Sequence, residues 1–414
     1  LCQDYYRYMK ILNKKKPLRK IYLRLFVVLL VCFYTLPASA MTQGEVLPKI
    51  FDALGYPVSA KQLSVFEGDL TKADVVRLTL ESMGWGFVFT AYERVTILPE
   101  WSELDPLWQI ASEINPAVPA ALLGSFTEPF KIEDLPALRG WIGNCKKAVS
   151  WKGSFSWEGT ELLLIKHGIG NPNGPANGDL QKGVNEPLYA AVLAVDMKSV
   201  PCQIATAVMV GANKAPLATI AGENYGVIGG INGGYFSGAK PIGVLRRQGH
   251  MDNAKFWPNR SAFGWNDKGE TIFIDGKEIA NISGNGQLDI YTEMMQAGPL
   301  LMKKGSVADN TEKVHPNVLN FRHPRTLVGT DGKRIYWAVI DGRDKMHSVG
   351  TTIEETKKFC KWLGMTDALN LDGGGSSSLW WRGSTFTLPS NSKDAERPIP
   401  YAVLMFMPGA GVRN

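Results

Sequence analysis

Beyond residue 40 the chain holds very little cysteine: of five in 414 residues, only Cys145, Cys202 and Cys360 lie there. Three thiols cannot build a disulfide framework, and one bridge with a leftover thiol is the most they allow. Cys360 falls on the apolar side of an expected helix, which points to packing. The five histidines are scattered, and neither Cys-x-x-Cys nor His-Glu-x-x-His spacing occurs. A transition-metal site is therefore not expected. Positive charge is also missing where it would matter. Residues 1–40 carry eight Lys or Arg and one Asp, a net of +7, against +6 for the whole chain, so the remainder is close to −1. No nucleic-acid footprint is supported.

That basic segment has its own reading. Lys14-Lys15-Lys16 and Arg19-Lys20 precede an apolar run from Leu25 to Leu36, and Pro37-Ala38-Ser39-Ala40 follows. A charged flank, a short apolar core and a small-x-small site form the pattern of a secretory signal peptide. The run falls short of the ~20 residues that span a bilayer; an uncleaved anchor is the alternative. Residues 1–8 precede Met9 and read as an upstream mis-start. The expected location is secreted or cell-envelope associated, by bacterial-type export.

The remaining length exceeds the usual range of one domain, so two are expected. Residues 41–145 read as mostly helical. Thr71 can cap a helix with Asp74 in its first turn, Val75, Val76, Leu80 and Met83 give it an apolar face, and Gly84 ends it. Leu107 to Ala111 reads as another helix, and Phe130 to Trp141 is a weaker echo of the first. Thr71-Lys72-Ala73-Asp74 resembles the helix start of surface-layer-homology repeats, which dock on cell-wall polymers. A helical spacer without a ligand is the other reading.

From Trp151 to the end the texture changes to short β runs between Gly, Asn and Pro turns. Strands are expected at Glu161–His167, Tyr189–Val195, Ile204–Val210, Tyr225–Ile228, Thr271–Ile274, Arg334–Ile340 and Tyr401–Met407, with a surface loop over 168–183. One helix stands out: Thr351-Thr352-Ile353-Glu354-Glu355 offers a capping box, and Gly364 closes the helix after Leu363. Many strands with few, clustered helices predict an α+β fold, a mixed or antiparallel sheet domain at 151–414 behind a small, mostly helical one.

Four segments combine strand-like runs with glycine and isolated polar residues. Gly229-Gly230-Ile231-Asn232-Gly233-Gly234-Tyr235-Phe236 would let the backbone approach a ligand, with Asn232 supplying an amide. A dinucleotide loop fits poorly because no helix pattern follows. In Arg322-His323-Pro324-Arg325-Thr326, the guanidinium of Arg325 enters an apolar strand, where it must be paired or meet an anion. Val339-Ile340-Asp341-Gly342-Arg343 sets an acid at a strand's end, where a plain Asp-Gly turn is the alternative. Last comes Asn370-Leu371-Asp372-Gly373-Gly374-Gly375-Ser376, whose glycine N–H groups can line an anion or sugar site beside Asp372.

Together and in this order, these segments resemble the phosphodiester glycosidase family, relatives of N-acetylglucosamine-1-phosphodiester α-N-acetylglucosaminidase. Asn232-Gly233-Gly234-Tyr235-Phe236 is similar to its Asn-Gly-Gly-x-Phe element, and Arg325 to Gly329 to its Arg-Thr/Ser-Ala-Val-Gly strand. Leu371 to Ser377 matches its Leu-Asp-Gly-Gly-Gly-Ser-Ser loop. Glu396-Arg397-Pro398-Ile399-Pro400-Tyr401-Ala402 is similar to its terminal element, with Pro400-Tyr401 replacing the usual polar pair. The resemblance covers about 188–407.

It implies hydrolysis of a sugar-1-phosphodiester on a phosphorylated, envelope or exopolysaccharide-type glycan, with no required cofactor; a calcium ion on the Asp-rich loops stays open. Asp372 is expected at the anomeric carbon and Asp341 as second acid or base. Asn232, Gly233, Arg325, Arg343, Gly373, Gly374, Ser376 and Arg397 are the expected substrate contacts. A glycosyl transition state carries positive charge that a carboxylate stabilises. The departing phosphate monoester, with a second pKa of about 6, needs an anion clamp more than a strong acid. Two other classes remain: a non-catalytic module that binds a phosphorylated polymer, and a serine acyl-hydrolase using Ser376 with His323 or His347.

Overall fold

Alternation of side chains along two central strands sets the layers of the fold. A computed structural model describes residues 84–96, 150–168, 186–196, 203–209, 213–279, 288–309, 312–391 and 395–408, with a few single positions besides. The expected signal peptide, the Thr71 helix start, its echo at 130–141 and most of the 168–183 loop lie outside the described residues, as do Cys145 and Cys202. Two units are delimited: 1–151 with 167–172, and 152–166 with 173–414. In the first, α1 (Gly86–Thr96) buries Val88, Phe89, Ala91, Tyr92 and Val95, and Leu107, Gln109, Ile110 and Ala111 are helical as expected.

The second unit is rich in strand. Its largest sheet runs β1 (Ser150–Trp157), β2 (Thr160–His167), β3 (Leu188–Asp196), β16 (Arg334–Ile340), β15 (Arg325–Thr330), β17 (Asp367–Asn370), β13 (Leu300–Lys303) and β14 (Ser306–Val307). A second sheet is ordered β19 (Ser384–Thr385), β18 (Leu379–Trp381), β5 (Val227–Asn232), β20 (Tyr401–Phe406) and β4 (Gln203–Val208). Successive residues of a strand face opposite sides. Ala190, Val192, Ala194, Ala338 and Ile340 therefore share one face with Ile353 and Cys360 of α4 (Ile353–Trp362). Leu193 and Trp337 point the other way, onto β5. There a Cβ on Gly229 would stand 2.7 Å from Leu193 Cδ2. Beyond β5 and β20, α2 (Leu217–Glu223) packs Leu217, Ile220 and Ala221 against Ala402, Leu404 and Phe406. The order is helix, sheet, sheet, helix.

A third sheet, β11 (Thr271–Ile274), β10 (Ala262–Trp265), β12 (Glu293–Gln296), β8 (Leu245–Arg247) and β9 (His250–Asn253), keeps a small core of Ala262, Ile274, Ile279 and Met294. The hairpin β6 (Phe236–Ser237) and β7 (Lys240–Pro241) and the short helix α3 (Pro316–Asn320) complete the described elements used below.

Strands at Thr271–Ile274 and Arg334–Ile340 stand as read, and α4 begins with the capping box of Thr352 and Glu355. Cys360 is a buried free thiol, pushed up to about 12 by burial. Most other strand ends shift by one or two residues, and β5 differs most. β5 runs from Val227 to Asn232 rather than ending at Ile228, because Gly229 and Gly230 lie within the strand. They are there for sheet packing: a Cβ on Gly230 would stand 2.7 Å from Leu404 Cδ2.

Candidate functional site

Strand polarity brings the motifs together. Arg325 of β15 lies opposite Ile340 of β16, and Leu327 opposite Asn370 of β17, with both pairings antiparallel. β16 and β17 therefore end at the same edge, beside the start of β15. Asp341 follows directly on one and Asp372 closely on the other. With strands about 4.8 Å apart, the two chains run about 10 Å from each other across β15.

Asn232, the last residue of β5, ties this edge together and is fully buried. Its Nδ2 donates to the carbonyls of Asp372 at 2.8 Å and Gly233 at 3.0 Å. Its Oδ1 accepts from Thr326 Oγ1 at 2.7 Å and from the Ser378 N–H at 3.2 Å. The amide's hydrogen-bonding capacity is filled by protein. A sugar hydroxyl, the partner expected from the sequence, has no place on it, and its observed task is to position the loop.

The glycines serve close packing of protein against protein. A Cβ on Gly233 would stand 2.3 Å from the Tyr401 ring, one on Gly373 2.7 Å from the Pro324 carbonyl, and one on Gly375 2.1 Å from Asn391 Nδ2. Gly374 has φ +62 and lies under the Arg343 guanidinium. The expected row of N–H donors is largely occupied. Gly374 N–H donates to Pro324 O, Ser376 N–H to Gly373 O and Ser377 N–H to Gly374 O, while Gly373 N–H serves the Asp372 carboxylate.

Asp372 is half-buried at the lip of this turn. Burial pushes its carboxyl up to about 6, against the opposing pull of the Ser376 hydroxyl, the Arg397 charge and the Gly373 N–H. Arg397 donates from Nη1 to Ser376 Oγ at 3.2 Å. Arg343, at φ +63, donates from Nη1 to Asn391 Oδ1 at 3.0 Å. Burial and the charge of Arg397 both lower Arg343 from its usual value. Among the described residues neither guanidinium meets a carboxylate at salt-bridge distance. Two like charges held over one glycine turn form a receptive site for an anion. Tyr401 closes the other side. Its hydroxyl accepts from Gly234 N–H, and burial together with the Asp372 charge pushes its ionisation well above the usual tyrosine range.

Asp341 is placed differently. It is buried, with Oδ2 accepting from His347 Nε2 at 2.9 Å and from the Leu388 N–H at 2.9 Å. Burial pushes its carboxyl up and pushes His347 down, while the buried Lys166 donates to the His347 carbonyl. The Leu388 contact fixes the segment 386–391, which also carries Asn391 to Arg343. Asp341 thus supports the site from inside rather than facing a substrate.

Arg325 departs furthest from expectation. It is 2% exposed, and its guanidinium donates to the carbonyls of Thr351 (2.9 Å), Val318 (2.7 Å) and Phe321 (3.1 Å). A buried guanidinium needs acceptors, and two carbonyls at the end of α3 and that of Thr351 before α4 supply them, which leaves no anion clamp here. The alternative of an internally paired arginine is the observed one. Nor does Ser376 pair with His323 or His347. His323 Nε2 meets Asn317 O at 3.1 Å, His347 meets Asp341, and Ser376 meets Arg397 and Asp372.

The structure thus gathers Asp372, Gly373, Gly374, Ser376, Arg343 and Arg397 at one glycine turn. Asn232, Gly233, Asp341 and Arg325 lie behind it as supports. Sequence reading missed Tyr401, Tyr235 and Asn391. Tyr235 donates its hydroxyl to Gly298 O at 2.7 Å, and burial and the Asp372 charge push it up to about 12. Its place directly after Gly233-Gly234 was the available signal. Among the described residues no group of three or more His, Cys, Asp or Glu gathers as a metal ligand set.

Residues 225–406 match the model of the phosphodiester glycosidase family. No curated protein matches the chain. Among solved structures, a hypothetical protein from Synechocystis superposes with a TM-score of 0.50 at 18% identity, over 62% of this chain and 64% of its own. The chain thus spans less than two thirds of that protein. A Burkholderia pseudomallei K96243 protein whose description proposes export gives a TM-score of 0.50 at 14% identity, over 63% and 97%. The zebrafish N-acetylglucosamine-1-phosphodiester α-N-acetylglucosaminidase catalytic domain gives 0.48 at 18%, over 62% and 88%. At these identities the first two likenesses show the fold. The family resemblance read from the motifs holds; among the described residues no helix is long and apolar enough to cross a membrane.

Proposed function

We propose that the phosphodiester-glycosidase domain at residues 225–406 hydrolyses a sugar-1-phosphodiester and frees the sugar from a phosphorylated glycan of the cell envelope or an exopolysaccharide. The carrying observation is the convergence of Asp372, Ser376 and Arg397, with Arg343 across the glycine turn. Water's oxygen joins the anomeric carbon and the bond from that carbon to the phosphate oxygen breaks. The electron pair leaves with the phosphate monoester. Asp372, ionised above about pH 6, stabilises the positive charge at carbon or takes the proton from water. Arg343 and Arg397 take up the growing charge on the phosphate, so no strong general acid is needed.

Asn232 and Asp341 act through others, the first by holding the Asp372 main chain and the second by holding the 386–391 segment under Arg343. The steps use no bound cofactor, and a calcium ion would reveal itself as activity lost to a chelator. Export rests on the signal-like pattern at 1–40, and cell-wall docking by 41–145 would add avidity for a polymeric substrate.

The test is product analysis on a panel of sugar-1-phosphodiesters with wild type and Asp372→Asn. Release of free sugar and phosphate monoester by wild type, abolished in a folded Asp372→Asn, is expected. Saturable polymer binding without turnover in the parent protein would instead identify a binding module, and unchanged turnover in the variant would remove Asp372 from the chemistry.

A further inference from the structure

Arg397 has a second neighbour besides Ser376. Its guanidinium carbon stands 5.0 Å from the centroid of the Phe236 ring, and the Lys214 ammonium stands 5.9 Å from the same centroid. Phe236 belongs to the hairpin that follows Gly233-Gly234-Tyr235, so its ring is half-buried beside the reaction edge. Lys214 is exposed, and its place is set by main chain rather than by a salt bridge. Ala215 and Ile399 exchange N–H donors with each other's carbonyls at 3.1 and 2.9 Å, which locks the chain beside Lys214 to the chain that carries Arg397. Glu396, the acid next to Arg397, is occupied elsewhere. Its carboxylate accepts from Ser378, Thr385 and the Ala218 N–H. Among the described residues no carboxylate pairs with Lys214.

The cations thus continue past the phosphate position: Arg343 over Gly374, Arg397 at Ser376, then Lys214 beside the Phe236 ring that Arg397 also meets. A single phosphodiester has one negative charge, which the first two already meet. A cation–π contact at an exposed site is weak, too little by itself to explain why a lysine is held there. We infer that Lys214, Phe236 and Arg397 form an aglycone-side subsite for a second anionic group, so that the preferred substrate is a sugar-1-phosphodiester whose aglycone carries a further phosphate. This rests on the hydrolytic reading above and adds the charge of the leaving side to it. A chain of repeating phosphodiesters meets that description, as does a short aglycone ending in a phosphate monoester.

The experiment compares two substrates of the same sugar. One is the sugar-1-phosphate methyl diester, and the other is the sugar-1-phosphate esterified to glycerol 3-phosphate. Wild type is expected to favour the second by about tenfold in kcat/KM, mostly through KM, with the preference shrinking as salt rises and screens exposed charge. Lys214→Ala should bring the two substrates to within about twofold of each other and leave the methyl diester rate unchanged. Lys214→Arg should keep the preference. Equal turnover of both substrates by wild type would overturn the inference while leaving the hydrolytic reading intact. A preference that survives in Lys214→Ala would also overturn it and reduce Lys214 to a stacking partner of Phe236. Absence of turnover on both substrates would fell the hydrolytic reading and this one together.

Discussion

The side-chain amide of Asn232 donates to the main-chain carbonyl of Asp372 at 2.8 Å, joining the end of β5 to the residue two positions beyond β17. One buried side chain therefore holds the two sheets in register at the point where the candidate carboxylate stands. Removing it leaves Thr326 Oγ1 and the Ser378 N–H without their partner in the interior. Asn232→Ala should cost about 2–3 kcal/mol in a denaturant titration. Turnover should fall as well, although the side chain touches no substrate. A variant that loses stability yet keeps its kcat would show that the loop is set by other contacts.

The raised carboxyl of Asp372 links activity to stability with opposite signs. Its folded value, about 6, lies above the ordinary aspartate value. The protonated form is favoured on folding, so that contribution is present at low pH and lost as pH rises through about 6. Activity should rise through the same interval, as the carboxylate forms. Asp372→Asn should abolish turnover and still be the more stable protein at pH 8, by about 1–2 kcal/mol, with little difference at pH 4. Thermal unfolding of both proteins at the two pH values decides it. A gap that stays constant with pH would refute the burial argument.

Arg343 and Arg397 should act as a pair. Alanine at either position should lower kcat/KM about a hundredfold, the scale of one lost charge-stabilising group. Competitive inhibition by inorganic phosphate should weaken in step. Arg397→Lys should recover less than half of the loss in logarithmic terms, because an ammonium presents no planar fork to the anion. Undiminished phosphate inhibition in both alanine variants would place the anion elsewhere.

Ser376 should stay unlabelled by a fluorophosphonate probe, since its hydroxyl meets Arg397 and Asp372 while His323 and His347 are directed to Asn317 and Asp341. Stoichiometric labelling, lost in Ser376→Ala, would restore the acyl-hydrolase reading.

Gly233→Ala tests the packing account of the glycines. The added methyl would meet the Tyr401 ring at 2.3 Å. Overpacking should cost about 1–3 kcal/mol and reduce turnover by shifting Tyr401. Combining it with Tyr401→Leu should return part of the stability, and additive losses in the double variant would count against the contact.

The motifs were legible because their signals are local. The capping box of Thr352 and Glu355, the strands Thr271–Ile274 and Arg334–Ile340, and the turn Gly373-Gly374-Gly375 each follow from residues within a few positions of one another. Which partner each polar group would find was not legible. Arg325 was open between an anion and an internal pair, and only the fold brought the carbonyls of Val318, Phe321 and Thr351 to it. The glycines of 229–234 announced close approach without saying to what. The answer was Leu193, Leu404 and Tyr401, which belong to chain far away in sequence.

The sequence by itself determined the residue types at the site, a carboxylate, two arginines, an amide and a glycine turn, and the local bends that present them. The tertiary structure decided which of them face outward. Arg343, Arg397 and, in part, Asp372 do, while Asn232, Asp341, Arg325 and Ser376 turn into the protein. The reason is the cost of burying polar groups without partners. Each must be satisfied where the chain brings it, and those partners are set by sheet pairing and layer packing, over separations that no local pattern encodes.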